Sequence, residues 1–160
     1  MKRVLFLLLL FMSYLPSWSK NANQLNEFIV ASLKSYISHN EDFRERVGWE
    51  HNGFYYICKD GLPDDFPYEN ILNVRFFSIN KYERESYKRS FKNTLNKGIA
   101  ALFVSYRLNG NELCIQITVK LVTRHKKWVS MGLIGWGIYT YEYSCESNKW
   151  ELKETKYGGV

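Results

Sequence analysis

One carboxylate and a run of tyrosines are the groups in this 160-residue sequence best suited to chemistry. Tyr139, Tyr141 and Tyr143 alternate with small or polar residues in a segment typical of a β-strand. Glu154 lies on the strand predicted to follow. A carboxylate beside a tyrosine on an apolar face can have a raised pKa and act as a general base. Proton transfer by Glu154 with assistance from Tyr141 is therefore one hypothesis. The alternative is that Glu154, close to the end of its strand, is simply solvated.

The sequence lacks the motifs of other common chemistries. His39, His51 and His125 are dispersed along the chain, and no cysteine or histidine spacing matches a zinc site. There is also no Ser/His/Asp arrangement and no glycine-rich phosphate loop. We therefore expect no metal and no cofactor, and hydrolase and nucleotide-binding functions have no support.

A basic and aromatic segment, RHKKWVSMGL at residues 124–133, is the second candidate site. Tryptophan and arginine contribute strongly to protein interfaces, and a basic rim favours an acidic partner. The predicted contact residues are Arg124, His125, Lys126, Lys127, Trp128, Met131 and Trp136. A homodimer through the same outer sheet face is a second form that such a contact can take. The alternative is that the loop folds back and buries its own rings.

The first 19 residues resemble an export signal. Lys2 and Arg3 precede an apolar run over residues 4–12, and Pro16 is followed by the small-x-small site at residues 17–19. Cleavage is predicted after Ser19, which places the protein in the periplasm or outside the cell. A membrane span needs about 20 apolar residues, so no transmembrane span is expected. An uncleaved signal acting as a weak tether stays open.

The remaining residues, 20–160, have the length of a single domain. Loss of Lys2 and Arg3 lowers the formal net charge from +6 to +4. The basic residues are scattered through the chain, whereas a nucleic-acid-binding protein has a denser patch. We therefore expect solubilising charge and no nucleic-acid partner.

Two helices are predicted from apolar spacing. The first carries apolar residues at intervals of three and four from Leu25 to Ile37, with a short helix over 40–47 after it. Strands are predicted at 53–59 and 70–79. The second helix lies within residues 80–98 and ends at a glycine cap.

The last 62 residues predict a four-stranded antiparallel meander over residues 99–108, 112–124, 134–145 and 149–156. With Asn109–Gly110 as the first loop, one face is apolar on both strands and the other is mostly polar. The predicted facing pairs are Tyr106 with Leu113, Leu102 with Ile117, Tyr141 with Ile117, Tyr139 with Val119, Tyr143 with Leu152, Tyr141 with Glu154, and Trp136 with Val122 on the outer face. Both helices are available to pack against the sheet, which gives an α+β fold of two amphipathic helices on a curved antiparallel sheet.

Four tyrosines on the inner face, Tyr106, Tyr139, Tyr141 and Tyr143, are predicted to line a pocket. Buried hydroxyl groups need a partner or water, so several of them favour a core that is open or wet at one end. The alternative is an ordinary core with the hydroxyls at its rim.

Three cysteines in an oxidising compartment permit one disulfide. The predicted register points Cys114 and Cys145 to opposite faces. Cys58 with Cys145 is the pairing that we favour, provided that the first strand turns Cys58 inward.

The order of elements resembles the nuclear transport factor 2-like superfamily, in which a curved sheet wraps a helix and often leaves a pocket at its open end. A cystatin-like layout shares much of that order. The resemblance spans residues 21–157 and implies either an isomerase, a dehydratase, a ligand-binding module or an interaction domain, since a fold alone does not select a function. We expect an exported, non-catalytic protein-binding domain, such as an immunity protein or a component of an envelope assembly. The alternatives are a proton-transfer pocket enzyme and a small-ligand-binding module.

Overall fold

The computed structural model describes residues 16–47, 55–79, 89–125 and 128–159, with the side chains of the first helix described from residue 24 to residue 41. Most of the predicted signal peptide lies outside these ranges, so export stays a prediction. Lys126 and Lys127 lie outside them as well, as do the first residues of the predicted strand at 53–59 and the first half of the predicted second helix.

The fold is α+β, with one main helix and an open, mixed sheet of six strands. The helices are α1 (Pro16–Val47) and α2 (Arg89–Lys97), and the strands are β1 (Tyr55–Cys58), β2 (Val74–Phe77), β3 (Ile99–Asn109), β4 (Glu112–Arg124), β5 (Val129–Ser144) and β6 (Lys149–Gly159). The sheet order is β2-β1-β3-β4-β5-β6. β1 is parallel to both of its neighbours, whereas β3 to β6 pair antiparallel in succession. The predicted sheet is therefore correct in class, but it is mixed because of β1.

The inner face of the sheet packs against α1 through the apolar stripe of the helix. Ile29, Leu33 and Tyr36 follow one another at helical spacing and are buried. They belong to the same apolar cluster as Ile115 and Tyr139 of the sheet. Burial of a large apolar side chain contributes about 1.5–3 kcal/mol, so this stripe is the main attachment of α1.

Glycine lets α1 approach β5 closely. A Cβ atom added to Gly137 would lie 2.6 Å from the ring of Tyr36, and one added to Gly135 would lie 3.4 Å from its hydroxyl oxygen. The ring of Tyr36 thus occupies the space that side chains would need at both positions. These glycines fix where the helix crosses the strand.

The second helix packs on the opposite, outer face. Leu95 of α2 belongs to a separate apolar cluster with Ile99, Ala101 and Val122, which alternate with the inner residues along β3 and β4. Gly98, with φ +89°, links α2 directly to β3. The short connection therefore places α2 on the outer face, while α1 covers the inner one.

The predicted strand registers are wrong by even numbers of residues in the first part of the meander. Tyr106 pairs with Ile115 because the first loop is Gly110–Asn111, in which Gly110 takes φ +61° at the first loop position, as in a type II′ turn. Tyr141 pairs with Leu113 and not with Ile117. Even shifts leave each residue on its predicted face, so the assignment of Tyr139 and Tyr141 to the inner face is confirmed by their burial.

A bulge in the last strand pair changes the faces. Tyr143 pairs with Trp150, but the register shifts between Thr140 and Tyr141, so that Glu154 pairs with Thr140. The extra residue inverts the alternation beyond it. The predicted pairing of Glu154 with Tyr141 is wrong for this reason.

Candidate partner-binding hairpin

The β4–β5 hairpin reaches beyond the strands on both of its sides. β3 begins at Ile99, opposite Val122, and β6 ends at Gly159, opposite Gly135. Beyond these points β4 and β5 pair only with each other, up to Arg124 and its partner on β5. The end of this hairpin is therefore attached to the sheet mainly through its own two strands.

The hairpin tip consists of Arg124, His125 and Trp128, with the loop 126–127 between them. The amide of His125 donates to the carbonyl oxygen of Trp128 at 2.8 Å, which closes the turn. The two rings stack with their centroids 3.8 Å apart and an interplanar angle of 20°. Trp128 is nevertheless 57% exposed, so the stack holds the indole in place without burying it.

Hydrogen bonds orient the imidazole of His125. The hydroxyl of Ser130 donates to the carbonyl oxygen of Thr123 at 3.3 Å, which uses its single hydrogen. The contact of 3.2 Å between His125 Nε2 and Ser130 Oγ therefore has the imidazole N–H as its donor. The ring that supports Trp128 is thus fixed at its base.

The predicted contact residues divide between two faces of the hairpin. Alternation along β5 places Met131 on the outer face, whereas Trp128 lies on the other face with His125. A register shift opposite Val119 keeps Trp136 on the outer face, where its ring lies against Gly158. Trp128 and Trp136 are eight residues apart, about 26 Å at 3.3 Å per residue, so the structure does not bring these two predicted contact residues together on one face.

The tip is linked to α2 and carries positive charge. Arg124 Nη1 donates to Asn96 Oδ1 at 3.3 Å, which holds the guanidinium beside α2 while it stays partly exposed. Leu121, which is 48% exposed, lies on the same hairpin face as Trp128. The end of the hairpin therefore carries an exposed indole and an exposed leucine on one face, and the guanidinium of Arg124 on the outer face beside α2.

The four predicted pocket tyrosines do not come together around one cavity. Tyr139 is 0% exposed and Tyr141 is 6% exposed, and both lie in the core under α1. Tyr106 is exposed at 42%, and Tyr143 donates its hydroxyl hydrogen to Asn148 Oδ1 in the last turn. Two of them are core residues and two lie near the surface.

The buried hydroxyls have partners. The hydroxyl oxygens of Tyr141 and Ser32 lie 3.1 Å apart, and Tyr139 donates to the hydroxyl of Tyr157 at 3.2 Å. Burial raises the pKa of Tyr139 and of Tyr141 above the ordinary range of a phenol. These side chains are neutral structural groups at physiological pH. Sequence reasoning missed Tyr157, whose ring also stacks on His39 with centroids 3.8 Å apart.

Glu154 lies on the exposed side of β6. Its carboxylate forms an ion pair with Lys156 at 2.7 Å, and its strand partner is Thr140. Tyr141 turns to the inner face. The two groups of the proton-transfer hypothesis are therefore on opposite faces of the sheet.

A groove of about 430 Å³ lies between α1 and the segment before β2. Its lining is mixed, polar and apolar, and consists of Asn26, Glu27, Val30, Ala31, Lys34, Asp65, Pro67 and Asn70. Asn26 is buried and donates to the carbonyl oxygen of Asp65 at 3.3 Å, while its Oδ1 has no hydrogen-bond partner among the described residues. The sequence offered one clue to this residue, since Asn26 stands on the apolar stripe of α1 three residues before Ile29.

The predicted disulfide between Cys58 and Cys145 is wrong. Cys58 is buried in β1 within the outer cluster, whereas Cys145 is exposed in the turn between β5 and β6, and both thiols are free. Two strands, β3 and β4, separate β1 from β5. Burial raises the pKa of Cys58 from 9.0 to about 11, so its thiol stays protonated at neutral pH.

The described ranges contain no group of three or more histidine, cysteine, aspartate or glutamate side chains able to hold a metal ion. None of the helices described is both long enough and apolar enough to cross a bilayer.

Comparison of the chain with models of protein families, with curated proteins and with solved structures found no match. The candidate site therefore rests on the geometry of the chain itself.

Proposed function

We propose that this protein is an exported, non-catalytic binding protein whose hairpin tip contacts an acidic protein partner. The observation that carries the proposal is Trp128, which is 57% exposed and held in place by its stack on His125. Neither apolar cluster includes its side chain. A large ring that the core does not use, presented in a fixed orientation, has the properties of an interface anchor.

Fixed geometry lowers the cost of binding. A side chain that is already ordered loses little conformational freedom when a partner covers it, and ordering a mobile one costs about 0.5–1.5 kcal/mol. Trp128 is restrained by His125, which is restrained in turn by Ser130. The tip therefore presents its indole in a conformation ready for contact.

The charge of the tip favours an acidic partner. Arg124 is held beside α2, and the loop adds Lys126 and Lys127 in the sequence. A cluster of like charges next to an apolar anchor speeds encounter with a partner of opposite charge, and that effect falls with ionic strength. An immunity protein and a component of an envelope assembly both fit this description.

A small-ligand-binding module is the second candidate, and the groove beside α1 favours it. Ligand sites commonly occupy about 300–1,000 Å³ and hold a few polar groups, and the groove of about 430 Å³ is lined by Asn26, Lys34 and Asp65 among others. Such a module would agree with a nuclear transport factor 2-like fold, in which a sheet wraps a helix. We rank this candidate second because Asn26 Oδ1 is buried. A ligand would have to displace the neighbours of Asn26 to reach that atom.

The proposal is tested by affinity capture from an envelope extract of the producing cells. The baits are the wild type, Trp128→Ala, Arg124→Glu and Leu72→Ala, a matched control because Leu72 is exposed at 83% and lies outside the hairpin. Circular dichroism and a urea titration establish that every bait is folded.

We expect a partner with the wild type and the Leu72→Ala protein, and recovery reduced by about tenfold or more with Trp128→Ala, the loss of a typical interface anchor. Recovery with Arg124→Glu should fall most at low salt. Equal recovery of the partner by all four baits would show that the hairpin tip does not bind it. A ligand detected in the groove, with no protein captured by any bait, would favour the second candidate.

A further inference from the structure

Six residues of β5 have an open edge. β6 ends at Gly159 opposite Gly135, so over Val129–Ile134 no residue within the described ranges pairs with the side of β5 that faces away from β4. An open strand edge presents unpaired N–H and C=O groups to any other strand. This segment, VSMGLI, contains no charge and no proline.

The edge of β6 is protected in a way that the β5 segment is not. Proteins guard open edges with charged side chains and bulges. β6 borders the sheet and has a register shift in its pairing with β5. Its charged side chains are Lys149, Glu151, Lys153, Glu154 and Lys156. The open part of β5 therefore lacks the charged side chains that guard the edge of β6.

The ladder determines which backbone groups of β5 point outward. His125 and Trp128 form a hydrogen-bonded pair, and such pairs alternate with non-hydrogen-bonded ones along an antiparallel ladder. The pairs that contain Val129, Met131 and Leu133 are therefore non-hydrogen-bonded with β4. The N–H and C=O groups of these three residues point to the open edge.

We infer that this edge pairs with the same edge of a second copy of the chain, antiparallel, with Met131 opposite Met131 of that copy. The outward groups then face one another, since Val129 meets Leu133 on both sides of the two-fold axis. The three residues form six hydrogen bonds between the copies. Their side chains lie on the outer face, where Met131 is 48% exposed and Leu133 is 53% exposed, so the contact also brings apolar groups together.

The lengths and charges of the two copies fit this arrangement. Among the described residues, the open edge is bounded by the end of β6 on one side and by the hairpin tip on the other, and with Met131 at the axis the five residues 129–133 of each copy face those of the other. Antiparallel pairing sends the two basic tips in opposite directions, roughly eight residues or about 26 Å apart along the strands. That separation exceeds the Debye length of about 8 Å at physiological ionic strength. Parallel pairing would place the tips side by side.

The contact is small and closed. A single strand pair of five residues lies at the low end of interface sizes, which implies a reversible, concentration-dependent dimer. A two-fold contact uses the same surface on both copies and therefore stops at two. The inference is independent of the proposed function, because Trp128 and Leu121 lie on the other face of the hairpin.

The first test measures mass against concentration by sedimentation equilibrium, up to about 1 mM, a weak dissociation constant on the usual scale. The proteins are the wild type, Met131→Lys and Leu108→Lys, a matched control in which an exposed leucine of β3 receives the same charge. We expect wild type and Leu108→Lys to approach dimer mass and Met131→Lys to stay monomeric, because two lysines would face each other at the axis.

A second measurement keeps the inference testable if Met131→Lys is poorly folded. Amide hydrogen exchange of the wild type is followed at low and high concentration. Exchange at Val129, Met131 and Leu133 should slow by about tenfold or more as the dimer forms. Ser130 and Gly132, whose amides already bond to β4, should change little.

Monomer mass for the wild type over the whole range would overturn the inference, and so would equal dimerisation of a folded Met131→Lys protein. Slowed exchange without alternation between neighbouring residues would overturn the register. Capture of a protein partner by Trp128 has no bearing on these outcomes, so the two proposals fail separately.

Discussion

His125 and Trp128 stack at the end of the β4–β5 hairpin with their ring centroids 3.8 Å apart, although neither ring belongs to a core cluster. The stack is closed by a hydrogen bond between the main chains of the same two residues. Its position beyond β3 and β6 means that the fold does not depend on it. The effect of substituting such residues on the free energy of unfolding should be measured separately from the effect on partner binding.

Trp128→Ala should therefore change the free energy of unfolding by no more than about 0.5 kcal/mol, the usual range for surface substitutions. Trp136→Ala is the matched comparison, because the ring of Trp136 lies against Gly158 on the neighbouring strand. We expect that variant to lose about 1–3 kcal/mol, as for the loss of a partly buried ring. Urea denaturation of both proteins checks the difference, and a larger loss from Trp128→Ala than from Trp136→Ala would show that the tip is part of the core.

Gly137→Ala should destabilise the fold, because the added Cβ would lie 2.6 Å from the ring of Tyr36 and would force α1 away from β5. Overpacking of this kind costs about 1–3 kcal/mol. Gly132→Ala in the same strand is the control, since a Cβ at that position has no neighbour within 4 Å in the part of the chain that the structure describes. Thermal melting of the two variants measures the difference. Equal melting temperatures would contradict the close packing of α1 on β5.

The bond between Ser32 and Tyr141 should respond to removal of either partner. Tyr141→Phe leaves the buried hydroxyl of Ser32 without this contact, at a cost of about 1–3 kcal/mol. The double variant Ser32→Ala, Tyr141→Phe should lose less than the sum of the single changes, because it leaves no polar group unpaired. Strict additivity in the double-mutant cycle would show that the two hydroxyls do not interact.

Stability should decrease at alkaline pH. Burial raises the pKa of Tyr139 and Tyr141 from 10.0 and that of Cys58 from 9.0 to about 11. The unfolded chain loses these protons at the ordinary values while the folded chain keeps them, so unfolding is favoured as the pH rises above about 9 and is unaffected below. Urea titrations between about pH 8 and pH 11 measure the slope. Tyr139→Phe should make that slope shallower, and an unchanged slope would contradict the burial of the phenol.

The residues that alternate most regularly were the ones that the sequence placed correctly. The assignment of Tyr139 and Tyr141 to the inner face is correct because the register errors at their positions are even numbers of residues. Glu154 was misplaced by a single bulge, for which the sequence has no clear mark. The sheet face on which α2 packs depends on a connection of one glycine, which the sequence alone did not resolve. The apolar stripe of α1 was identified from the sequence, but the role of Asn26 within that stripe was not identified.

The candidate site was predicted in part. Arg124, His125 and Trp128 were identified from their types, since a basic and aromatic cluster in an exposed segment is unusual for a core. The division of His125 and Trp128 from Met131 and Trp136 on the outer face could not be foreseen, because β5 begins at Val129 and a register shift follows within it. The segment predicted as a loop forms the end of a long hairpin, and its side chains point alternately to the two faces.

Photo-crosslinking from position 128 in the producing cells tests the central proposal most directly. A photoreactive phenylalanine analogue replaces Trp128 in one variant and Leu72, which is exposed at 83%, in the control. Illumination should join the variant at position 128 to one acidic protein that the control does not capture, and Arg124→Glu in the same chain should reduce the yield. Absence of a crosslinked protein at position 128, or the same products from both positions, would contradict the assignment of the hairpin tip as a partner-binding site.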